Sequence, residues 1–382
     1  MAACIDKLGI VVAALLVVAG LSPFAVFRAN RIAAGEAKDL LDALPALPAW
    51  LLLALIVVAA LLAATATPAR LRLVIAGLLI AVFAVMIGLA ADFLTPPGNR
   101  YARVAPAVGF WIGLFAASIL FADAIVRLKL GPRARIAAVA IAAAILGLLL
   151  GSGIWSGLSI LKEYAVRSDV FWREAMAHVM LALGSLGLAV AVGLPLGILI
   201  ERKTTLRAPV LNVLNAIQTI PSIALFGMLI GPLGWIATHV PGAGSLGIRG
   251  IGMAPAFVAL FLYSLLPMVA NTVVGLAQVP RNVVDAAHGM GLTEPQTLLS
   301  VEMPLALPVI LTGVRIVLVQ NIGLATIAAL IGGGGFGVFV FLGIGQTAPD
   351  LILLGAVPTV LLAFAVAVLL DATVEAISGG RS

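Results

Sequence analysis

Residues 279–308 read VPRNVVDAAHGMGLTEPQTLLSVEMPLALP and separate two long uncharged runs of the chain, residues 250–280 and 316–349. Pro280 suits the first turn of a helix, because its missing N–H would have no helical partner there. The sequence therefore predicts a short helix over residues 281–290. Gly291 would end this helix in the left-handed conformation that glycine adopts without strain.

A second short helix is predicted directly after the first. Thr293 and Gln296 have the spacing of a capping box, which satisfies N–H groups at a helix start. Pro304 and Pro308 would then begin the next membrane helix. Two stiff helices of this kind suit docking into a groove of another protein, although an ordinary interfacial helix–turn–helix has the same pattern.

The composition places this segment in a membrane protein. Of the 382 residues, 63% are hydrophobic and 10% are charged, against about 45–50% and about 25% in soluble domains. A bilayer crossing takes about 20 residues, and ten uncharged runs approach or exceed that length. We therefore predict an all-α polytopic membrane protein of about ten transmembrane helices. The runs cover residues 8–27, 43–69, 73–91, 104–122, 136–161, 175–200, 208–248, 250–280, 316–349 and 351–370.

Enzyme classes find little support in the sequence. The single cysteine, Cys4, allows no intrachain disulfide, and His178, His239 and His288 are scattered, which favours structural or solvated roles over a metal site. No lysine follows a glycine, as a P-loop requires. We predict no catalytic residue, no metal and no cofactor. The net charge is +6. The basic residues lie between apolar runs, where they orient helices and do not indicate nucleic-acid binding.

Basic residues in the loops indicate how the helices are oriented, because cytoplasmic loops carry more Lys and Arg. The unopposed cluster of Arg127, Lys129, Arg133 and Arg135 is the clearest signal. We therefore expect both termini in the cytoplasm. The first run follows only Lys7 and has no small-residue cleavage site, so we expect it to be retained as a helix.

The character of the chain changes near residue 172. Residues 1–171 hold about five helices rich in Ala, Leu and Val, whereas polar residues and helix breakers occur within the runs of residues 172–375. Such groups are costly at membrane depth unless they face protein or a water-filled path. We expect the function in the second region, a structural or regulatory role for the first, and a short cytoplasmic tail over residues 376–382.

A translocation path is predicted from polar and aromatic residues at membrane depth. Pro221 would leave the carbonyl of Ile217 unpaired, and Pro267 would do the same to the carbonyl of Tyr263. The ring of Tyr263 suits a cation at its face, unless it packs in the core. The candidate path residues are Gln218, Pro221, Tyr263, Asn271, Gln320 and Asn321.

Two further features lie close to the ninth run. Arg315 is costly at membrane depth, and we expect it to snorkel or to pair with Glu302 or Asp285; a place in the path is the alternative. Residues 332–335 are four glycines, which suit a hinge or docking surface or form a plain helix break.

The polar segment between the eighth and ninth helices resembles the EAA loop of binding-protein-dependent ABC importer permeases. That loop reads E-A-A, three residues, G, nine residues, I, one residue, L-P. The spacing is kept throughout, and the replacements of Glu by Asp, Ile by Val and Leu by Met are conservative. The matching residues, within residues 281–304, are Asp285-Ala286-Ala287, Gly291, Val301 and Met303-Pro304.

Three further stretches resemble the osmoprotectant permeases, which import glycine betaine, choline, carnitine or related quaternary amines. They are residues 218–225 (QTIPSIAL), 265–272 (LLPMVANT) and 328–337 (AALIGGGGFG). The extra N-terminal helices are similar to those of the longer, YehY-type permease. The resemblance implies a type I ABC importer permease core over about half of the chain, preceded by about five extra helices.

What this resemblance implies is a translocation subunit of a bacterial cytoplasmic (inner) membrane that hydrolyses no ATP itself. Its partners would be an ATP-binding ABC subunit, an extracytoplasmic solute-binding protein, a second permease chain (the same or a paralogue) and the lipid bilayer. The bundle would alternate between outward-open and inward-open states. The coupling residues would be Asp285, Ala286, Ala287, Gly291 and Pro304.

Two alternatives stay open. One is an ABC permease for another small solute, such as an amino acid. The other is an ion-coupled secondary transporter, which should place carboxylates at membrane depth and commonly contains inverted repeats. The second region shows neither.

Overall fold

The computed structural model describes residues 6–31, 33–99 and 101–379, so Cys4, Arg100 and Arg381 lie outside its described part. The chain divides into two compact units, Met1–Val166 and Arg167–Ser382. The division falls close to residue 172, where the composition changes.

Helices occupy most of each uncharged run. Within the described ranges, nine helical stretches are long and apolar enough to cross a membrane, in agreement with a polytopic helical fold. Helix α1 (Lys7–Leu21) has 15 residues, fewer than the about 20 of a full crossing. The helix predicted within residues 8–27 is present but shorter than a full crossing, because the end of that run forms a strand.

The first unit combines helices with a small sheet. Strands β1 (Ala25–Arg28), β2 (Glu36–Lys38) and β3 (Arg103–Pro106) pair antiparallel in the order β2-β1-β3. This sheet adds to the predicted all-α fold, and in it backbone N–H and C=O groups of the loops bond to one another. Its described elements are α1, β1 (Ala25–Arg28), β2 (Glu36–Lys38), α2 (Leu40–Ala43), α3 (Ala46–Ala64), α4 (Ala69–Leu94), β3 (Arg103–Pro106), α5 (Val108–Leu128), α6 (Pro132–Gly151) and α7 (Ser159–Val166).

Helices α1, α3, α4 and α5 enclose the core of this unit, in which Leu52, Phe83 and Phe110 are buried. Gly113 of α5 lies directly against the ring of Phe83, and a Cβ there would be 2.4 Å from that ring. The absence of a side chain thus lets α4 and α5 approach closely. Helix α6, by contrast, buries none of its residues.

A network of four charges joins α1, α4 and α5. The Nη1 atom of Arg72, which is 1% exposed, lies 2.9 Å from Asp6 and 3.1 Å from Asp123. Arg127 contacts the same two carboxylates at 2.7 and 2.8 Å. The N–H of Gly9, with help from both guanidinium groups, holds the pKa of Asp6 below its ordinary value of 3.8, although burial acts in the opposite direction.

The second unit is a helical bundle. Its described elements are α8 (Ser168–Arg202), α9 (Thr204–Thr219), α10 (Ser222–Met228), α11 (Ile230–His239), α12 (Met253–Ala277), α13 (Arg281–Gly289), α14 (Glu294–Thr297), a π-turn (Leu298–Glu302), α15 (Met303–Leu324), a 3-10 turn (Ile327–Ile331), α16 (Gly337–Gly345) and α17 (Pro349–Gly379). Helix α12 packs between α8 and α15, and α17 packs on α15. A Cβ at Gly197 of α8 would lie 2.6 Å from Thr272 of α12, so small residues again set the helix spacing.

The seventh run is not a single helix. Helix α9 ends at Thr219, and α10 and α11 follow Pro221 as separate short helices. The carbonyl of Ile217 accepts a hydrogen bond from the N–H of Ile220 at 3.2 Å. The prediction that Pro221 leaves this carbonyl unpaired is therefore wrong, because the helix stops before the proline instead of bending around it.

Candidate functional site

Helix α13 presents one face outward from the second unit. It begins directly after Pro280, as predicted. Ala287 is 1% exposed and anchors the helix, whereas Asp285 and Ala286 are exposed. Asp285 makes no side-chain cap of its helix and no hydrogen bond or ion pair with another residue that the structure describes. Its carboxylate and the small Ala286 are therefore available to another molecule.

Both ends of the turn after α13 are held by local hydrogen bonds. Gly291 has φ +87°, and the N–H of Leu292 donates to the carbonyl of Ala287 at 3.2 Å, a Schellman-type closure. Thr293 and Gln296 then form a capping box, with the Thr293 N–H 2.9 Å from Gln296 Oε1. The predicted helix, its glycine stop and the capping box are confirmed, and they make this segment stiff.

The helix after this turn differs from the prediction. It begins at Glu294 and continues into α15 with no loop between them, whereas a separate short helix was expected. Pro304 lies in the first turn of α15, as expected, but Pro308 lies inside that helix. A π-turn lies in between, in which the N–H of Met303 donates to the carbonyl of Leu298. This wider turn leads into Pro304 at the start of α15, where a missing N–H is tolerated.

Two ion pairs tie long helices together near this segment. The Nη2 atom of Arg202 lies 2.8 and 2.7 Å from the two carboxylate oxygens of Glu302. Arg315 pairs with Asp371. The expected pairing of Arg315 with Glu302 or Asp285 is therefore wrong. The actual partners are 100 and 56 residues apart in the sequence, a separation that a local pattern does not reveal.

Gln218 and Tyr263 form hydrogen bonds that connect α12 with the break after α9. The side-chain amide of Gln218 donates to the carbonyl of Tyr263 at 2.8 Å, and the hydroxyl of Tyr263 donates to the carbonyl of Ile220. Since Pro267 has no N–H for the Tyr263 carbonyl, Gln218 supplies the missing donor. The prediction that this carbonyl is unpaired is therefore wrong. Three candidate path residues, Gln218, Tyr263 and Pro221, lie close together here.

The other three candidate path residues lie apart from that group. Asn271 donates to a carbonyl of its own helix at 2.8 Å, and Gln320 is half-buried. Asn321 is 0% exposed, and its amide donates to the hydroxyls of Ser185 and Ser264 at 2.8 and 2.9 Å. This buried triad joins α8, α12 and α15 inside the bundle.

The four-glycine stretch is held by α8. Gly334 and Gly335 have φ +78° and +89°, and the Gly335 N–H donates to Glu174 at 2.9 Å. His178 is fully buried and accepts from the N–H of Phe336 at 3.4 Å, so its structural role is confirmed. Sequence reasoning missed Glu174 because it stands just before an uncharged run, as an ordinary interfacial charge does.

Comparison with known proteins identifies the class to which this exposed segment and the bundle behind it belong. Residues 193–380 match the family model described as binding-protein-dependent transport system inner membrane component. Residues 6–161 match the N-terminal domain of the ABC transporter permease YehY.

Curated relatives match about half of this chain and most of their own length. The osmoprotectant import permease OsmW of Salmonella typhimurium is 44% identical, over 49% of this chain and 81% of its own. The carnitine transport permease OpuCB of Listeria monocytogenes is 37% identical, over 50% and 81%. The choline transport permease OpuBB of Bacillus subtilis is 36% identical, over 50% and 80%. The chain belongs to the family of binding-protein-dependent ABC importer permeases, multi-pass proteins of the inner membrane, as its sequence pattern predicted.

Proposed function

We propose that this permease carries an osmoprotectant, such as glycine betaine or a related quaternary amine, into the cell by alternating access. The names of the relatives support the substrate class. ATP is hydrolysed in a separate subunit, and an extracytoplasmic solute-binding protein delivers the substrate. The observation that carries the proposal is the stiff helix α13, which turns an exposed carboxylate and a small residue away from the bundle.

We assign the coupling to the ATP-binding subunit to Asp285, Ala286, Ala287, Gly291 and Pro304. The exposed Asp285, Ala286 and Gly291 face that subunit, and the buried Ala287 anchors the helix that carries them. The exposed Ala286 allows close backbone approach in a groove, and Gly291 fixes the turn that follows. A stiff segment transmits displacement to the bundle, whose two states differ in their affinity for the ATP-bound motor. The segment then faces the cytoplasm, as do both chain termini.

We assign the translocation path to Gln218, Pro221, Tyr263, Asn271, Gln320 and Asn321, completed by a second permease chain. Apart from Pro221, their side chains are uncharged and either polar or aromatic, and they suit a weak path for a cation or zwitterion. The buried Asn321 supports this path from behind by holding three helices in register. Tight recognition belongs to the solute-binding protein, and residues 1–171 form a structural or regulatory region.

Uptake into proteoliposomes tests the proposed function. The complex of this chain, its ATP-binding subunit and its binding protein should accumulate labelled glycine betaine or choline only when hydrolysable ATP is supplied on the motor side. Uptake driven by an ion gradient without ATP would show a secondary transporter. Uptake of amino acids alone would show another ABC substrate class.

The coupling contact has its own test. Ala286→Trp adds bulk to the outward face of α13, so recovery of the ATP-binding subunit with the purified permease should fall together with uptake. Leu246→Trp is the matched control, because Leu246 is 81% exposed and lies outside this segment. Equal recovery for both variants would place the motor contact elsewhere.

A further inference from the structure

The ion pair between Arg202 and Glu302 stands where the coupling segment joins the bundle. Glu302 is 5% exposed, and one guanidinium nitrogen of Arg202 contacts both of its oxygens. A carboxylate this deeply buried is costly without a partner. The position of Glu302 is therefore bound to the position of the Arg202 side chain.

The two residues of the ion pair lie in different elements. Glu302 is the last residue of the π-turn Leu298–Glu302, between the capping box and α15. A π-turn interrupts regular α-helical hydrogen bonding and is frequently found at functional sites. Arg202 is the last residue of α8, which has 35 residues and packs along both α12 and α15. The pair thus connects the irregular turn below α15 to the end of the longest helix in the unit.

We propose that Arg202 and Glu302 are positioning residues that make α8 move together with the coupling segment. This inference rests on the proposed function. When the motor displaces α13, the π-turn is the place where the displacement could be absorbed. The ion pair prevents that, because separating the two charges would leave the buried carboxylate of Glu302 without its partner. The displacement therefore reaches α8. Through the opposite end of α8 it reaches the glycine stretch, which is hydrogen-bonded to Glu174 and His178.

The test measures the ratio of solute transported to ATP hydrolysed in the reconstituted complex. Arg202→Gln removes the positive charge beside the buried carboxylate of Glu302, and the ratio should fall about threefold or more, because the half-exposed Arg202 is screened in part by solvent. ATP hydrolysis itself should continue. The double exchange Arg202→Glu with Glu302→Arg restores a pair of opposite charges and should recover most of the ratio.

The chain offers a matched control in the next ion pair along the sequence. Arg207 lies 3.5 Å from Glu201, against 2.7 Å between Arg202 and Glu302. Both arginine side chains are 41% exposed, but the side chain of Glu201 is 23% exposed and that of Glu302 only 6%. Arg207→Gln should therefore leave the ratio unchanged. An equal fall for Arg207→Gln and Arg202→Gln would show a general effect of surface charge and would overturn the assignment.

A second variant keeps the test decisive if Arg202→Gln does not assemble. Arg202→Met combined with Glu302→Leu removes both charges and leaves no buried carboxylate alone, an exchange that is commonly neutral for folding. This variant should assemble and hydrolyse ATP, yet transport at a reduced ratio. A wild-type ratio in this variant would show that the pair only packs the bundle, while the proposed function would stand. Failure of the unaltered complex to show ATP-driven uptake would instead refute the proposed function itself.

Discussion

The contact between Gln218 and Tyr263 shows how one side chain repairs a defect in another helix. Pro267 removes a backbone donor from α12, yet α12 continues through it from Met253 to Ala277. The amide of Gln218 fills the gap at 2.8 Å. In a membrane, an unsatisfied carbonyl is costly, so the glutamine has a structural as well as a polar role.

Gln218→Leu should lower the free energy of unfolding by about 1–2 kcal/mol, because the Tyr263 carbonyl loses its donor. In a Pro267→Leu background the backbone itself supplies that donor, and the same change should cost less than about 0.5 kcal/mol. Unfolding by SDS titration measures both values. Thr219→Val is the control, since Thr219 is bonded only within its own helix. Equal costs in both backgrounds would contradict this explanation.

Gly291→Ala should loosen the end of α13. At φ +87° a Cβ meets no neighbouring atom, so the cost is backbone strain alone, about 1–2 kcal/mol. Hydrogen exchange at the last amides of α13 should become about fivefold faster or more, since local opening follows local stability. Gly289→Ala is the matched control, because it has open space inside the helix, where alanine is favoured. Faster exchange in that variant would be inconsistent with strain as the cause.

At the scale of elements, the sequence predicts features that depend on nearby residues, but it does not predict which distant residues pair. The helix at Pro280, the stop at Gly291 and the capping box at Thr293 depend on neighbours within a few residues, and all three are confirmed. The direct connection of the second short helix to α15 was missed, because a π-turn leaves no periodic signal. The small sheet was missed because its strands have three or four residues and the first of them begins inside an apolar run.

The charge network of the first unit joins several elements, and its contribution to stability can be measured. Arg72→Met leaves the carboxylates of Asp6 and Asp123 without their buried partner, and the first unit should lose about 3–5 kcal/mol of stability. Arg127→Met should cost less, because that side chain is 43% exposed. Adding Asp6→Asn and Asp123→Asn to Arg72→Met should recover part of the loss. Thermal unfolding of the full chain in detergent compares the variants, and no recovery in the triple variant would argue against charge as the cause.

At the scale of the molecule, the two units have separate cores, and the family relatives correspond to only about half of the chain. A chain that starts at Arg167 should therefore insert and, with the ATP-binding subunit and binding protein, still support ATP-dependent uptake. Uptake in whole cells and membrane content by blotting measure this. Correct insertion without uptake would assign an essential transport role to Met1–Val166, beyond the structural or regulatory role proposed for it.

Helix α6 leads to one more consequence. Because none of its residues is fully buried in the described part of the chain, packing constrains the order of its residues little. The main requirement is an apolar helix of about 20 residues that matches the thickness of the lipid layer. Shuffling residues 136–150 should leave expression and unfolding temperature as they are, whereas removing two turns should not. Among homologues, this helix should drift in sequence faster than any other crossing while keeping its length.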